Sequence, residues 1–451
     1  MNRDIRDTPV SYRNAQALAR YERALEQFQS YVGDPIATLD ATLAEAPDFV
    51  IGHLFKGLAL LTTSEKQLLP TVEASLAAAL AHAGRANERE RTLMAAMRSL
   101  LDGDWDAGSR QLDRVLVDCP RDAMTLQVAH LLDFFRGDAL NLRTRISRVL
   151  PHWDESVPGY SYVLGMHAFG LEEMNQYAEA EATGRRALAL QARDAWAVHA
   201  VTHVMEMQGR VDEGIDWLES RKGDWAPDNG FAFHNWWHLA LFHMDGARYE
   251  RVLALYDQAI HPEPAQFVLP LIDATALLWR LHLQGVPLGR RFEEVADEWQ
   301  ARQDRDRGYY AFNDFHAILA FAATARDAAM SRELAALRLA ALEENANGRM
   351  TREVGLPLGE GIAAFARGKY ARAVEHLEQV RDIAHRFGGS HAQRDVITLT
   401  LIEAAVRAGQ RSHARHYVAE RLVHKPKSAW GHRLARASQE VATTRESFII
   451  A

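Results

Sequence analysis

Apolar residues recur along this chain at helical spacing, as at Leu93, Met97, Leu100 and Leu101, and no stretch sustains the period-2 alternation of a half-buried strand. Short turns separate these runs. A Gly-Asp or Gly-x-aromatic step falls at Gly33-Asp34, Gly103-Asp104-Trp105, Gly137-Asp138, Gly209-Arg210, Gly246 (with Tyr249), Gly368-Lys369-Tyr370 and Gly409, with Asn175-Gln176-Tyr177 filling one place. Successive turns are mostly 34 to 41 residues apart, and Gly33 precedes Gly103 by two such units. That period predicts stacked helix-turn-helix units, each too small to bury its own apolar face.

Two further signals run in phase. Pro120 and Pro426 stand 17 residues after their turn glycines, where the tetratricopeptide pattern closes its second helix, with Pro227 and Pro262 near that place and Pro47 and Pro151 slightly early. Ala180, Gly214 and Ala373 supply the small residue expected five positions after the turn. The expected fold is all-α, a right-handed solenoid of about ten to eleven tetratricopeptide-like helix pairs. No Gly/Ser/Pro-rich linker divides the chain, so a single domain over 1–451 is expected, with stricter repeats in 88–260 and longer, irregular ones in 261–451.

Charge and composition narrow the function. Lys and Arg total 52 against 60 Asp and Glu, a net charge of −8, which opposes general nucleic-acid binding. The first residues, Met1 to Asp7, form no apolar leader. The most apolar stretch, Phe49 to Leu61, is interrupted by His53 and Lys56 and is too short to span a membrane. One cysteine, Cys119, excludes an intramolecular disulfide and fits a reducing, cytoplasmic setting.

The candidate chemistry lies among the 20 histidines, of which two central helices hold a dense set. The first carries Asp194 as N-cap, then Trp196, His199, His203 and Glu206, which repeat phase assigns to the concave face. One repeat earlier the corresponding residues are Tyr162, Gly165, Phe169 and Glu172, flanked by His167. The next helix runs through Phe231, Phe233, His234, Trp236, Trp237 and His238. Neighbouring first helices pack about 10 Å apart, so His199 and His203 are expected to converge with His234 and His238. Three readings fit: histidines packed between helices, a divalent metal on His199, His203 and His238, or general acid–base catalysis by His199, His203, His234 and His238 with Glu206 as orienting carboxylate. Trp196 and Trp237 suit an apolar pocket wall.

Two other stretches are candidates for the same groove. Phe312-Asn313-Asp314-Phe315-His316 opens a helix with polar side chains between aromatics. Gly388-Gly389-Ser390-His391-Ala392-Gln393-Arg394-Asp395 reads as a loop and N-cap, and also as an anion-ready helix start in which His391, Arg394 and Asp395 contact a ligand. Ala392 stands where a hydrolase elbow needs glycine, and Gly361 to Lys369 lacks P-loop spacing.

At Thr202 to Arg210, Phe233 to Leu241 and Gly389 to Val396 the chain resembles the tetratricopeptide repeat protein 38 family. The resemblance spans nearly the whole length. It implies a soluble helical-repeat fold, and implies that the His/Trp helix and the Ser-His-Ala-Gln-Arg-Asp segment belong to one feature. It supplies no settled activity. The expected function is binding of a small organic, anionic ligand in a His/Glu/Trp-lined pocket, with Glu172, His167, Trp196, Trp237, His391, Arg394 and Asp395 contributing contacts and hydrolysis or another proton transfer as the reaction. The alternative is a scaffold that takes a partner protein's peptide or helix in its groove. A second copy of the chain is a further candidate partner.

Overall fold

The computed structural model describes residues 2–440; residue 1 and residues 441–451, the ends of the expected 1–451 domain, lie outside the described residues. The described chain is a succession of α-helices, with one two-stranded antiparallel ladder, Asn2–Arg3 against Pro9–Val10. Consecutive helices pack as hairpins, for example Glu88–Leu101 with Trp105–Asp118 and Tyr160–Glu173 with Tyr177–Leu190. No described helix is long and apolar enough to cross a membrane.

The recurring Gly-Asp step has a local cause. The glycine lies in the turn after the first helix and takes the left-handed region, at φ 88° for Gly33, 79° for Gly103 and 64° for Gly137, where a side chain would be strained. The aspartate then caps the second helix. Asp34, Asp104 and Asp138 accept from the amides of Ala37, Ala107 and Asn141 at 2.9, 2.9 and 3.0 Å. Each such cap stabilises its helix by about 1 kcal/mol. Asn175 takes the same left-handed turn at φ 60°. At Gly246 the expected turn residue is displaced by one: Ala247 carries the positive φ, 57°, and the next helix starts at Tyr249. An extra turn residue shifts the register there.

Prolines mark the exits. The helix ending at Asp118 precedes Pro120, and the helix ending at His424 precedes Pro426. Ala180 and Ala373 are fully buried where helices cross, and Gly214 lies against the ring of Phe242, closer than a Cβ could sit.

The helices form two compact units. The first runs to Val204 and takes in Ser220–Asn235 and Glu344–Ala346; the second comprises Met205–Glu219, Trp236–Glu343 and the chain from Asn347 on. Within the first unit the chain returns on itself. Gly230 donates its amide to Tyr31 O at 2.7 Å, Asn229 Nδ2 donates to Ser30 O at 3.0 Å, and the Tyr31 ring lies 5.1 Å from Phe231 and 6.1 Å from Trp196. The second unit holds π turns at Tyr256–Ile260, at the end of the stretch where stricter repeats are expected, and at Thr351–Gly355, within the stretch where longer ones are expected.

Candidate functional site

Asp194 starts the first histidine helix, Ala195–Met207. Its Oδ1 accepts from the Ala197 amide at 2.9 Å, as expected of an N-cap, and burial pushes its carboxyl up to about 7. Helical spacing then turns Trp196, His199 and His203 to one side. All three are buried, with His203 fully so. Phe169 from the first helix of the preceding hairpin, Tyr160–Glu173, lies between them: its ring is 5.1 Å from Trp196, 5.2 Å from His199 and 5.3 Å from His203. Glu172, one turn on and also fully buried, places Oε2 3.5 Å from His203 Nδ1.

His234 joins this group from the helix Ala232–Asp245. Asn235 Nδ2 donates to the carbonyl of Ala195 at 3.3 Å and ties the two helix starts together. The His199 ring lies 4.4 Å from His203 and 4.9 Å from His234. One nitrogen from each of His199, His203 and His234 lies within 4.8 Å of the other two. The first unit thus assembles three imidazoles and one carboxylate inside a shell of Phe169, Trp196 and Phe231. His130, which the sequence did not single out, belongs to the same shell at 5.7 Å from Trp196 and 6.1 Å from Phe169. Burial, with Arg145 nearby, pushes its imidazole down to about 3, so it is neutral.

His167, expected beside this group, points elsewhere. Ser147 Oγ lies 3.1 Å from its Nε2, and it lines a surface cleft of about 390 Å³ with Tyr160, Leu164 and Arg186. Burial, then Arg143, pushes it down to about 4.

The second unit contains its own His–Glu pair. His238 Nδ1 donates to Glu206 Oε2 at 2.7 Å, and both residues are buried. The other oxygen of Glu206 accepts from Lys425 Nζ at 3.3 Å, and the same ammonium reaches Asp245 at 3.4 Å. Ser428 Oγ donates to Asp245 at 2.9 Å. Burial pushes the Lys425 ammonium down, but Asp245 and Glu206 outweigh it and hold it above its ordinary value. Trp237, fully buried, carries the Arg280 guanidinium 5.3 Å from its ring centre. Burial pushes Arg280 down to about 10. Lys425, Asp245, Arg280 and Arg421 were absent from the sequence reading, because each meets its partner only through long-range packing.

The Ser-His-Ala-Gln-Arg-Asp segment forms the start of the helix His391–Arg407. Ser390 and Gln393 make a capping box: Ser390 Oγ accepts from the Gln393 amide at 3.3 Å and Gln393 Oε1 from the Ser390 amide at 3.0 Å. Arg280 donates to the carbonyls of Ala392 and Gln393 at 2.8 and 3.3 Å. Arg421 pairs with Asp395, and Arg394 donates to the Gly389 carbonyl. The aromatic-polar stretch after Tyr310 is buried; Phe312 O lies 2.8 Å from His316 Nδ1, and burial pushes that imidazole down to about 3.

No protein-family model matches the chain. Among solved structures it is similar to the Cut9–Hcn1 assembly of the APC/C, with 13% identity over 94% of this chain and 76% of that one and a TM-score of 0.42. It is also similar to the human IFIT1 dimer with m7Gppp-AAAA, with 12% identity over 94% and 99% and a TM-score of 0.43. The TPR domain of P58(IPK) aligns with 11% identity over 88% and 99% and a TM-score of 0.21.

Proposed function

We propose that this chain is a helical-repeat protein that binds a small organic ligand at its histidine helices and carries out proton transfer on it. One recurring observation carries the reading: in each unit an inward histidine has its Nδ1 facing a buried carboxylate, Glu172 at His203 and Glu206 at His238. A carboxylate at Nδ1 fixes the tautomer and raises the basicity of Nε2, the arrangement of a general base. The rings of Phe169, Trp196 and Phe231 supply apolar walls and exclude water. Their burial argues against an open peptide groove on this face of the first unit. The single half-buried Cys119, whose thiol burial pushes up to about 11, supports an unreactive packing role and a reducing, cytoplasmic setting.

The test is a thermal-shift screen of the full chain against a metabolite library, repeated with His203→Ala and His238→Ala. Hits on the native chain that vanish in either variant support the reading. A screen with no hits, or hits that persist unchanged in both variants, removes it.

A second reading, a scaffold for a partner protein, is favoured by a different observation. Leu339 and Leu342 stand three residues apart on the second unit and are 69% and 76% exposed. Exposed leucines at that spacing suit a partner helix or peptide. Cross-links from a copurified partner to this segment, lost in Leu342→Glu, would favour the scaffold.

A further inference from the structure

We infer that His199, His203 and His234 form a binding site for one divalent transition-metal ion of the zinc or ferrous class. This deepens the proposed ligand-binding role of these helices and rests on it for its link to chemistry.

The donor set is the first argument. Nitrogen-rich sites suit zinc, iron, copper and nickel, whereas calcium and magnesium prefer oxygen. Three imidazoles, one nitrogen each, lie within 4.8 Å of one another. A tetrahedral ion about 2.0–2.1 Å from each nitrogen holds its ligands roughly 3.3 Å apart. Small side-chain rotations on fixed helices would close that difference. His199 and His203, four residues apart, present their rings from one helical face, and His234 enters from the next helix, so the three do not lie in one row.

The surroundings are the second argument. Metal-bound histidines commonly donate their other ring nitrogen to a carboxylate, which orients the ring and strengthens the ligand. Glu172 Oε2 stands 3.5 Å from His203 Nδ1 and can take that place. It also offsets one of the two charges of a dication in a buried setting. The rings of Phe169, Trp196 and Phe231, 5.1 to 5.2 Å from His199, hold that imidazole and limit solvent access.

The full, untagged chain is stripped with chelator, dialysed and titrated with zinc against a chromophoric competitor, and in parallel with cobalt(II) followed by visible absorption. The site predicts one zinc per chain and intense bands of four-coordinate cobalt. Binding should weaken at least about 100-fold in His203→Ala and in His234→Ala, and about 10- to 100-fold in Glu172→Gln. His167→Ala, at the surface cleft, should bind as the native chain does. If the histidine variants fail to fold, the cobalt spectrum of the native chain still tests the site. Sub-stoichiometric zinc with no cobalt bands overturns the inference, and so does full binding by a folded His203→Ala. Metabolite hits that need His203 but no metal would overturn the metal site and leave the ligand-binding reading intact. Stoichiometric metal without any organic ligand would do the reverse.

Discussion

Glu206 and Lys425 are 219 positions apart in the sequence, yet Lys425 Nζ donates to Glu206 Oε1 at 3.3 Å while His238 donates to Oε2 at 2.7 Å. One carboxylate thus serves a histidine and an ammonium at once, and Asp245 shares the ammonium. A buried carboxylate without a cation is costly, and Lys425 supplies that cation to the carboxylate that faces His238.

Replacing Lys425 by Met should therefore destabilise the chain by about 3–5 kcal/mol, because Glu206 and Asp245 lose their shared cation. Glu206→Gln in the same background should recover part of the loss, a coupling that urea denaturation of both single variants and the double variant would measure. Additive effects would show that the three charges act independently.

His130 gives the acid side of the stability profile. Burial, with Arg145 second, pushes its folded value down to about 3, below the 6.5 of the unfolded chain. The unfolded state then binds the extra proton, so stability rises with pH through this range. His130 contributes no penalty above pH 6.5, and stability is progressively lost as pH falls from 6.5 towards 3, amounting to a few kcal/mol. His130→Phe should flatten that loss in urea denaturation series run between pH 7 and pH 4. An unchanged slope would mean that His130 is hydrated in the folded chain.

Asp194 acts with the opposite sign. Burial raises its folded value to about 7 from 3.8, so the folded state holds the proton more tightly. Stability from this group is fully present below about pH 4 and is lost as pH rises through 7. Asp194→Asn keeps an oxygen for the Ala197 amide and removes the titration. Its stability should gain on the native chain steadily from pH 4 to pH 8, by a few kcal/mol in all. A constant difference across that range would argue that the cap stays ionised.

The repeat frame was legible because it is local. A glycine in the left-handed region, an aspartate cap one residue on and a proline past the exit are short-range requirements, and Gly103, Asp104 and Pro120 meet all three. Phase within that frame put Trp196, His199, His203 and Glu206 on one helical face, and all four are buried. His167, which only flanks the set Tyr162, Gly165, Phe169 and Glu172, turns to Ser147 and the surface cleft. The ion network was illegible for a different reason. Lys425, Arg421 and Arg280 find Glu206, Asp395 and the carbonyls of Ala392 and Gln393 across 26 to 219 residues, and no local pattern encodes such a meeting.

Close approach of helices in the first unit offers a test that needs no ligand. A Cβ at Gly170 would stand 2.4 Å from the carbonyl oxygen of Leu142 and 2.6 Å from the amide nitrogen of Arg143, both backbone atoms that cannot rotate away. Gly223, in the short helix Lys222–Trp225, has nothing within 4 Å of the same position. In a helix, alanine is intrinsically better than glycine by about 1 kcal/mol. Gly223→Ala should therefore be neutral or slightly stabilising. Gly170→Ala must push the helices Ala139–Val149 and Tyr160–Glu173 apart, and overpacking of this kind costs about 1–3 kcal/mol. The clash should outweigh the propensity gain, lowering the melting temperature relative to Gly223→Ala. The same shift moves Phe169 and Glu172, which follow Gly170 on one turn or adjoin it, so zinc or ligand binding at His203 should weaken as well. Unchanged melting in Gly170→Ala would mean that the two helices are held less tightly than the backbone contact at Leu142 implies.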